Sequence, residues 1–417
     1  MMKKVLLLGS NLGSVEIAEY VRKKGEYLIV TDYYPIEKSP AKQLADESWD
    51  ISTLDVEALY RKCREEHVDA VLSSTGEQNL SSAVRLAKML DLPFYTMEES
   101  WKYTNDKILF KEMCRKHGIP VAEDYTEENP PAAGDFPVIV KPADNCLNRG
   151  LTICKDISQF KDACVCAYEN SPGKRIVIEK YIEGTMIQAG YYMADGKTEL
   201  YAVMETVVRP QDPGSCYSVH TTYHNYTDLY LKKYDAKVRE MLKDIGCRNG
   251  TAFVQTMMKN ETLYFLEINY RIDGFGFFRT VKDACGIDLV KIITDISLYG
   301  KTDARIIPYK EEENPRMYVY NIWSYKKCKI ARIEGLDAIE KMENVKINSV
   351  FKEGEKVNGT PNAGTLMAAV TFYTQNEEET ENLMNTINHT FYVYDEEGRD
   401  ILSKFDSYDL LPTKEKK

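Results

Sequence analysis

The sequence predicts a protein of the α/β and α+β classes, in which an N-terminal doubly wound parallel sheet precedes larger α+β regions. Strands and helices alternate in the first part of the chain. Two apolar runs within Ala252–Arg271 flank a polar break at Lys259–Glu261. The last part alternates in β fashion around one helix, Glu377–Asn388. We therefore expect an α/β domain over residues 1–100, a central domain over 101–305 and a small α+β domain over 306–417.

The composition of the 417-residue chain is that of a soluble globular enzyme, with 43% hydrophobic and 29% charged residues. A net charge of −11 argues against a general nucleic-acid binder, which needs a basic face. The apolar run Val5–Leu8 is too short for a signal peptide or a membrane span. Ten scattered cysteines without a CxxC pair favour free thiols in the cytoplasm, and five histidines without zinc-ligand spacing do not favour a zinc site.

In the first domain, predicted strands alternate with predicted helices, as is typical of a parallel sheet. Its predicted strands are Val5–Leu8, Tyr27–Thr31 and Val68–Leu72. Ligands bind at the carboxyl ends of such strands, which makes Gly9–Gly13 and Thr75–Asn79 candidate rim loops. Asp32 after a glycine-bearing loop suggests a nicotinamide cofactor, but we reject this interpretation because the loop lacks the GxGxxG spacing.

The central domain begins with a predicted helix over Trp101–Lys116. A strand, Phe136–Lys141, a polar loop, Ala143–Gly150, and a second strand, Leu151–Cys154, follow. Strand, polar loop and strand form the arrangement of a lid over phosphates. The alternative is an exposed hairpin with an ordinary turn.

The run Ala252–Arg271 is predicted to be a hairpin. Side chains alternate along a strand, so one face of the second strand should carry Leu263, Phe265, Glu267 and Asn269. If the turn centres on Glu261, Gln255 lies opposite Glu267.

Gln255, Glu267 and Asn269 would then form an all-oxygen cluster. Hard oxygen ligands suit Mg²⁺ or Mn²⁺, especially where nucleotide phosphates complete the shell. Arg271 follows on the same face and could bind a phosphate bidentately. The alternative is an edge hairpin whose polar face is only solvated.

Four motifs in this order resemble the ATP-grasp enzymes. They are Asp106-Lys107, Val140-Lys141-Pro142 with Arg149-Gly150, the strand Val177–Gly184, and Gln255 with Leu266–Arg271. The resemblance covers about Lys3 to Gly300 and is closest to the carbamoyl-phosphate synthetase and biotin carboxylase branch. It implies a pre-ATP-grasp sheet domain, a two-lobed ATP-grasp domain with a lid subdomain at about residues 120–183, and a separate small C-terminal domain.

The resemblance implies ATP as the nucleotide. Lys107 and Lys141 would bind the α- and β-phosphates, and Arg149 with the backbone of Asn148–Leu151 would fold over them. The Glu179 carboxylate, which could instead be merely solvated, would contact adenine together with the strand that follows it. The complete implied set is Lys107, Lys141, Arg149, Gly150, Glu179, Lys180, Tyr181, Ile182, Glu183 and Gln188. Many relatives hold the ribose with a glutamate where this chain has Met186, so Glu183 or Gln188 would take that role, or the ribose contact would be lost.

The resemblance also implies two Mg²⁺ or Mn²⁺ ions that bridge the β- and γ-phosphates. Their ligands would be Gln255, Glu267 and Asn269. Arg271 would stabilise the transferred phosphoryl group, and Arg209 or His220 could assist it.

The reaction implied is phosphorylation of a carboxylate, followed by attack of an amine on the acyl phosphate. Biotin carboxylases share the fold, but Phe275 stands where they place a glutamate base, and Cys216–His220 replaces their Arg-His-Gln-Lys stretch. The chain is also too short for a complete carbamoyl-phosphate synthetase. A stand-alone carboxylate–amine ligase for an amino acid or a similar small carboxylate remains, with ADP and phosphate as products.

Three residues are candidates for substrate binding. Arg279 could meet a carboxylate or form a surface ion pair, and Glu77, with Asn79 beside it, could receive an ammonium group. The expected partners are small-molecule carboxylate and amine substrates, no nucleic acid and no membrane, with a homodimer as a candidate assembly. The alternatives are a catalytically weak nucleotide-binding module and a carboxyphosphate-forming enzyme.

Overall fold

The computed structural model describes residues 2–145, 149–209, 216–310, 314–349, 351–360, 363–406 and 408–412. The N-terminal domain consists of β1 (Lys4–Leu8), α1 (Ser14–Lys23), β2 (Tyr27–Thr31), β3 (Glu47–Trp49), α2 (Val56–Glu66), β4 (Ala70–Ser73) and α3 (Glu77–Leu90). Its strands pair in parallel in the order β3-β2-β1-β4. The predicted N-terminal parallel sheet is therefore confirmed.

The two rim loops meet because β1 and β4 are neighbours in this sheet. The Ser14 and Ser74 hydroxyls lie 2.8 Å apart, and Thr75 Oγ1 donates to the Leu12 carbonyl over 3.1 Å. Gly13 has a φ of +84°, and a Cβ there would lie 2.6 Å from Ile272 Cδ1. A larger residue at this position would push the rim away from the end of the hairpin.

A second sheet lies in the region predicted to form the lid subdomain, and we call it the lid sheet. Two helices, α4 (Glu98–Asn105) and α5 (Lys107–Lys116), precede this sheet in the chain. The elements that follow are β5 (Asp124–Tyr125), β6 (Val138–Pro142), β7 (Thr152–Cys154), α6 (Phe160–Glu169) and β8 (Ile176–Lys180), and the strand order is β5-β8-β6-β7. The single helix predicted over Trp101–Lys116 is wrong, because Asp106 is extended and its carboxylate caps α5, accepting from the Ile108 and Leu109 amides at 2.9 and 3.1 Å. This break places Lys107 at the first residue of a helix.

The largest sheet has eight antiparallel strands. Its central elements are β9 (Thr185–Ala194), β10 (Lys197–Val207), β11 (Val219–Thr221), α7 (Thr227–Tyr230), α8 (Ala236–Ile245), β12 (Gly250–Lys259), β13 (Thr262–Asn269), α9 (Phe277–Cys285) and α10 (Leu289–Tyr299). The C-terminal elements are β14 (Arg316–Trp323), β15 (Cys328–Glu334), α11 (Leu336–Glu340), β16 (Val345–Ser349), β17 (Lys356–Val357), β18 (Leu366–Thr374), α12 (Glu377–Thr390) and β19 (Tyr392–Asp395).

The order of the large sheet is β13-β12-β9-β10-β11-β14-β18-β16, and a small sheet, β17-β15-β19, stands apart. Three C-terminal strands thus extend the sheet that carries the hairpin. The expected boundary near residue 305 does not separate two sheets, because the short strand β11 pairs with both β10 and β14.

The hairpin of β12 and β13 has a two-residue turn, in which Asn260 and Glu261 both have positive φ, 48° and 55°. The pairing is regular from Lys259 with Thr262 to Thr256 with Phe265, and the register then shifts by one residue before Gln255. The extra residue is Leu266, a β-bulge. Gln255 lies opposite Glu267 as predicted, but the pairing depends on this bulge.

The bulge overturns one expectation about the faces of β13. Leu263 and Phe265 are buried in the main core, whereas Glu267 and Asn269 line a cavity. The four side chains therefore do not share one face, because the extra residue reverses the alternation within the strand.

The main hydrophobic core joins the N-terminal domain to the large sheet. It contains Val5 and Leu7 of β1, Ile187 of β9, Val254 of β12 and Ile293 of α10. Within the described parts of the chain, none of the helices has the length and apolar character needed to span a membrane.

Candidate active site

A cavity of about 1050 Å³ lies between the rim loops, the lid sheet and the large sheet, and extends to the C-terminal strands. It brings together many of the residues chosen from the sequence: Glu77, Lys107, Lys141, Arg149, Gln188, His220, Gln255, Glu267, Asn269, Arg271 and Arg279. The amide of Asn148, a predicted phosphate contact, lies outside the described residues.

The floor of the cavity is a row of side chains on adjacent strands. Met204 pairs with Gln188, Gln188 with Gln255, and Gln255 with Glu267. Asn269 lies two residues further along β13, and its Nδ2 is 3.5 Å from Glu267 Oε1. One carboxylate and two carboxamides therefore converge on one face of the sheet, a donor set that fits Mg²⁺ or Mn²⁺.

Glu267 faces two lysines across the cavity. Lys107 Nζ lies 3.5 Å from Glu267 Oε2 and donates to the Asn145 carbonyl over 2.9 Å. Burial opposes ionisation of Glu267, but the charges of Lys107 and Lys141 outweigh it and hold the pKa of this carboxyl below its usual value. Glu267 is thus an anion at neutral pH, as a metal ligand must be.

The Glu179 carboxylate is buried, so the alternative of a merely solvated side chain is wrong. It is 3% exposed and lies between Lys141, to which it is hydrogen-bonded, and Lys111, whose Nζ is 2.6 Å away. Burial raises the pKa of Glu179, but the two lysines together keep it below its ordinary value. Its predicted contact with adenine stays a prediction, while the ion pair with Lys141 shows that Glu179 positions this lysine.

Segment 180–183 links the lid sheet to β9. The Lys180 amide donates to the Glu123 carbonyl over 2.9 Å, and the Tyr181 amide to the Pro137 carbonyl over 3.1 Å. Ile182 is half-buried and Glu183 exposed. None of these residues, nor Gly150, is part of the cavity wall described above. Their proposed adenine and ribose contacts remain predictions.

Arg271 connects the hairpin to the N-terminal rim. Its Nη2 lies 2.9 Å from Glu77 Oε1 and 3.3 Å from Asn269 Oδ1, while Nε is buried and has no partner in the described ranges. Glu77, predicted to receive a substrate ammonium, instead pairs with Arg271. Asn79 accepts from Thr53 Oγ1 over 2.7 Å and is absent from the described cavity wall, so its predicted substrate role is not supported.

Arg279 lines the cavity but already has a carboxylate partner. Its guanidinium is hydrogen-bonded to Glu16 Oε1, while Glu16 Oε2 is buried and lacks a protein partner. The ion pair that the sequence left open as an alternative is therefore present. Glu16 was missed, although an acidic residue in the first helical turn after a rim loop is a readable signal.

Arg209 is not placed to act on a phosphoryl group. It is 5% exposed, and its guanidinium is bonded to the Lys404 carbonyl and the Ser403 hydroxyl of the C-terminal region. Its predicted catalytic assistance is corrected to a structural role, because Arg209 is buried, does not belong to the described cavity wall and is bonded to the C-terminal region.

His220 lines the cavity but cannot supply positive charge. Thr206 Oγ1 lies 2.8 Å and Gln188 Nε2 3.2 Å from its Nδ1, while Nε2 is buried with no partner among the residues that the structure describes. Burial lowers the pKa of His220 to about 4. The imidazole is therefore neutral at pH 7, and its predicted role in charge stabilisation is corrected to holding Gln188.

The buried His220 should make stability depend on pH. Its folded pKa of about 4 lies below the ordinary unfolded value of about 6.5, so the unfolded chain binds the extra proton between these values. Stability is then lost as pH falls through this window, by about 2 kcal/mol between pH 7 and pH 5. We expect urea unfolding of His220→Gln to depend less on pH over this range.

His389 is exposed near the end of α12 and gives the matched control, His389→Gln. That variant should keep the wild-type pH dependence. A His220→Gln protein whose stability falls with pH as steeply as the wild type would contradict the buried, neutral imidazole.

Comparison with known proteins agrees with this geometry. Residues 134–277 match the family model of the ATP-grasp domain. The chain is 24% identical over 327 residues, 71% of its length, to the carbamoyl phosphate synthase large chain, N-terminal section, of Aquifex aeolicus (strain VF5), and it spans only 58% of that relative. The predicted resemblance to ATP-grasp enzymes is confirmed.

Two solved structures are similar over almost the whole chain. The L-amino acid ligase of Bacillus licheniformis has a TM-score of 0.77 at 16% identity, covering 94% of this chain and 99% of that one. The biotin carboxylase domain dimer of Hydrogenobacter thermophilus 2-oxoglutarate carboxylase, in complex with MgADP, ADP and bicarbonate, has a TM-score of 0.78 at 17% identity, covering 99% and 96%. At these identities the likeness shows the fold alone.

Proposed function

We propose that this ATP-grasp protein is an ATP-dependent carboxylate–amine ligase that acts through an acyl phosphate on an amino acid or a similar small carboxylate. The observation that carries the proposal is the juxtaposition of Gln255, Glu267 and Asn269 beside Lys107 and Arg271 in one cavity. Oxygen ligands next to cationic side chains are the parts that phosphoryl transfer requires.

In this proposal Gln255, Glu267 and Asn269 hold one or two divalent cations, which would neutralise charge on the β- and γ-phosphates. Lys107 and Lys141 contact phosphate oxygens, and Glu179 keeps Lys141 directed towards them. Arg271, fixed by Glu77, stabilises the phosphoryl group as it passes to the substrate carboxylate. The lid sheet lines one side of the cavity through Lys141 and Pro142, and in this proposal it would keep water from the acyl phosphate.

A carboxyphosphate-forming enzyme is the second candidate. The first residue of the metal set is a glutamine, Gln255, and not a glutamate, as in the carbamoyl-phosphate synthetase branch. Phe275 disfavours a biotin-dependent version, since it fills the position of the expected base and stacks near His220 with ring centroids 5.3 Å apart. The two candidates differ in whether bicarbonate or an organic carboxylate drives ATP turnover.

We expect ADP and phosphate, not AMP and pyrophosphate, to accumulate with the true substrate, because the metal set would lie across the β–γ linkage. Hydroxylamine should intercept the acyl phosphate and yield a hydroxamate, measured by mass spectrometry. The control is the same mixture without a carboxylate. Stoichiometric AMP would point to an adenylating mechanism, and turnover that requires only bicarbonate would favour the second candidate.

A further inference from the structure

The floor of the cavity changes character along the large sheet. Its β13-β12-β9 end carries the oxygen ligands, whereas the β11-β14-β18 end is lined by apolar and aromatic side chains. Six of the side chains that line this second end are Tyr217, His220, Phe275, Val319, Trp323 and Leu366. We call this set the aromatic end of the cavity.

The register shows that both ends belong to one continuous face. Thr206 of β10 pairs with His220 of β11, which pairs with Val319 of β14. Trp323, four residues after Val319, pairs with Leu366 of β18. Antiparallel partners project to the same side of a sheet, so a substrate anchored beside the oxygen ligands can extend along this face.

The aromatic end is held in place by its neighbours. Trp323 Nε1 donates to the Tyr217 carbonyl over 3.0 Å, and the Tyr217 ring meets the His220 ring edge-on at 5.6 Å. The Asp273 carboxylate accepts the amides of Phe275, Phe277 and Phe278 at 2.8 to 2.9 Å, which fixes the loop that carries Phe275. This end is therefore a built wall and not a collection of mobile side chains.

None of the six side chains is charged, since His220 is neutral. An acidic or basic group placed among them would lose its hydration without gaining an opposite charge. His220 Nε2, which is buried and has no partner within the described part of the chain, can offer a single hydrogen bond to a neutral group. Charge on the substrate is instead met at the other end, by Arg271 and the metal ligands.

Resting on the proposed ligase activity, we propose that the carboxylate substrate is an amino acid with a bulky, uncharged side chain, of leucine or phenylalanine size, and that the aromatic end binds this side chain. Phe275 is a specificity-determining residue in this arrangement. Each buried methylene contributes a factor of roughly 10 to 200 in discrimination, so the preference over small substrates should be large.

Hydroxamate formation tests the proposed preference for bulky, uncharged amino acids, and it does so without knowledge of the natural amine substrate. With ATP, Mg²⁺ and saturating hydroxylamine, we expect kcat/KM for leucine or phenylalanine to exceed that for glycine, aspartate and lysine by at least about a hundredfold. Phe275→Ala should reduce the preference for phenylalanine over alanine by about tenfold or more, and Phe275→Leu should restore most of it. Equal ATP affinity and Tm in the three proteins would show that folding is not the cause.

Three outcomes would overturn the substrate class: turnover of glycine, aspartate or lysine as fast as leucine, a Phe275→Ala loss that is equal for all substrates, or hydroxamate formed only from carboxylates that are not amino acids. In these cases the ligase activity itself still stands. Failure of every amino acid and simple carboxylate to release ADP would overturn both proposals.

Discussion

Glu267→Gln should lower phosphate release by roughly a thousandfold while ATP still binds measurably. Glu267 is the only carboxylate of the predicted ligand set, and its amide isostere keeps the shape but removes the negative charge that a divalent cation requires. Steady-state phosphate release and calorimetric titration of ATP, each over a range of Mg²⁺ concentrations, would measure the two effects separately.

The same hairpin offers a matched control. Glu261 undergoes the same chemical change in Glu261→Gln, but it lies exposed in the turn, away from the cavity. That variant should retain wild-type turnover. Turnover of Glu267→Gln within a few-fold of the wild type would remove Glu267 from the metal site.

Arg271→Gln should reduce kcat by roughly a thousandfold with a smaller change in the KM for ATP, because a guanidinium aimed at a transferring phosphoryl group acts mainly in the transition state. Arg271→Lys should recover only part of the rate, since an ammonium cannot reproduce the bidentate contact. Single-turnover measurement of ADP formation would separate this step from product release.

The ion pair with Glu77 complicates a single substitution, because Arg271→Gln also leaves a carboxylate without its partner. Glu77→Gln alone keeps the guanidinium and should cost about tenfold in kcat through poorer positioning. Compared with Arg271→Gln alone, the double variant Glu77→Gln/Arg271→Gln should regain stability but not activity. If instead the double variant recovers the rate of Glu77→Gln, Arg271 acts only as a structural partner.

The hairpin could be found from sequence because local signals mark it. Alternating apolar residues and the polar break before Thr262 give both strands and their approximate pairing. The bulge could not be found, since Leu266 simply continues the apolar residues of β13 and only tertiary packing decides which residue is left unpaired. Leu263 and Phe265 were therefore assigned to the wrong face.

The candidate ligands were predicted because their types and spacing carry the chemistry, whereas the ion pairs around them were not. Arg271 pairs with Glu77, which is 194 residues away in the sequence, and Arg279 pairs with Glu16, which is 263 residues away. Nothing local encodes such contacts, which arise when α1 and α3 of the N-terminal domain dock against the end of the hairpin and against α9. The role of Glu179 was missed for the same reason, because Lys111 reaches it from a helix 68 residues away.

The continuity of the large sheet limits how the protein can be recombined. A chain cut before β14 would turn the three-residue strand β11 into a sheet edge with unpaired backbone groups, a template for self-association. The same cut would remove Val319, Trp323 and Leu366 from the cavity. An exchange of C-terminal segments must therefore keep β14 and β18 in the same hydrogen-bonded register, since the proposed substrate end and the proposed metal end lie on one continuous sheet.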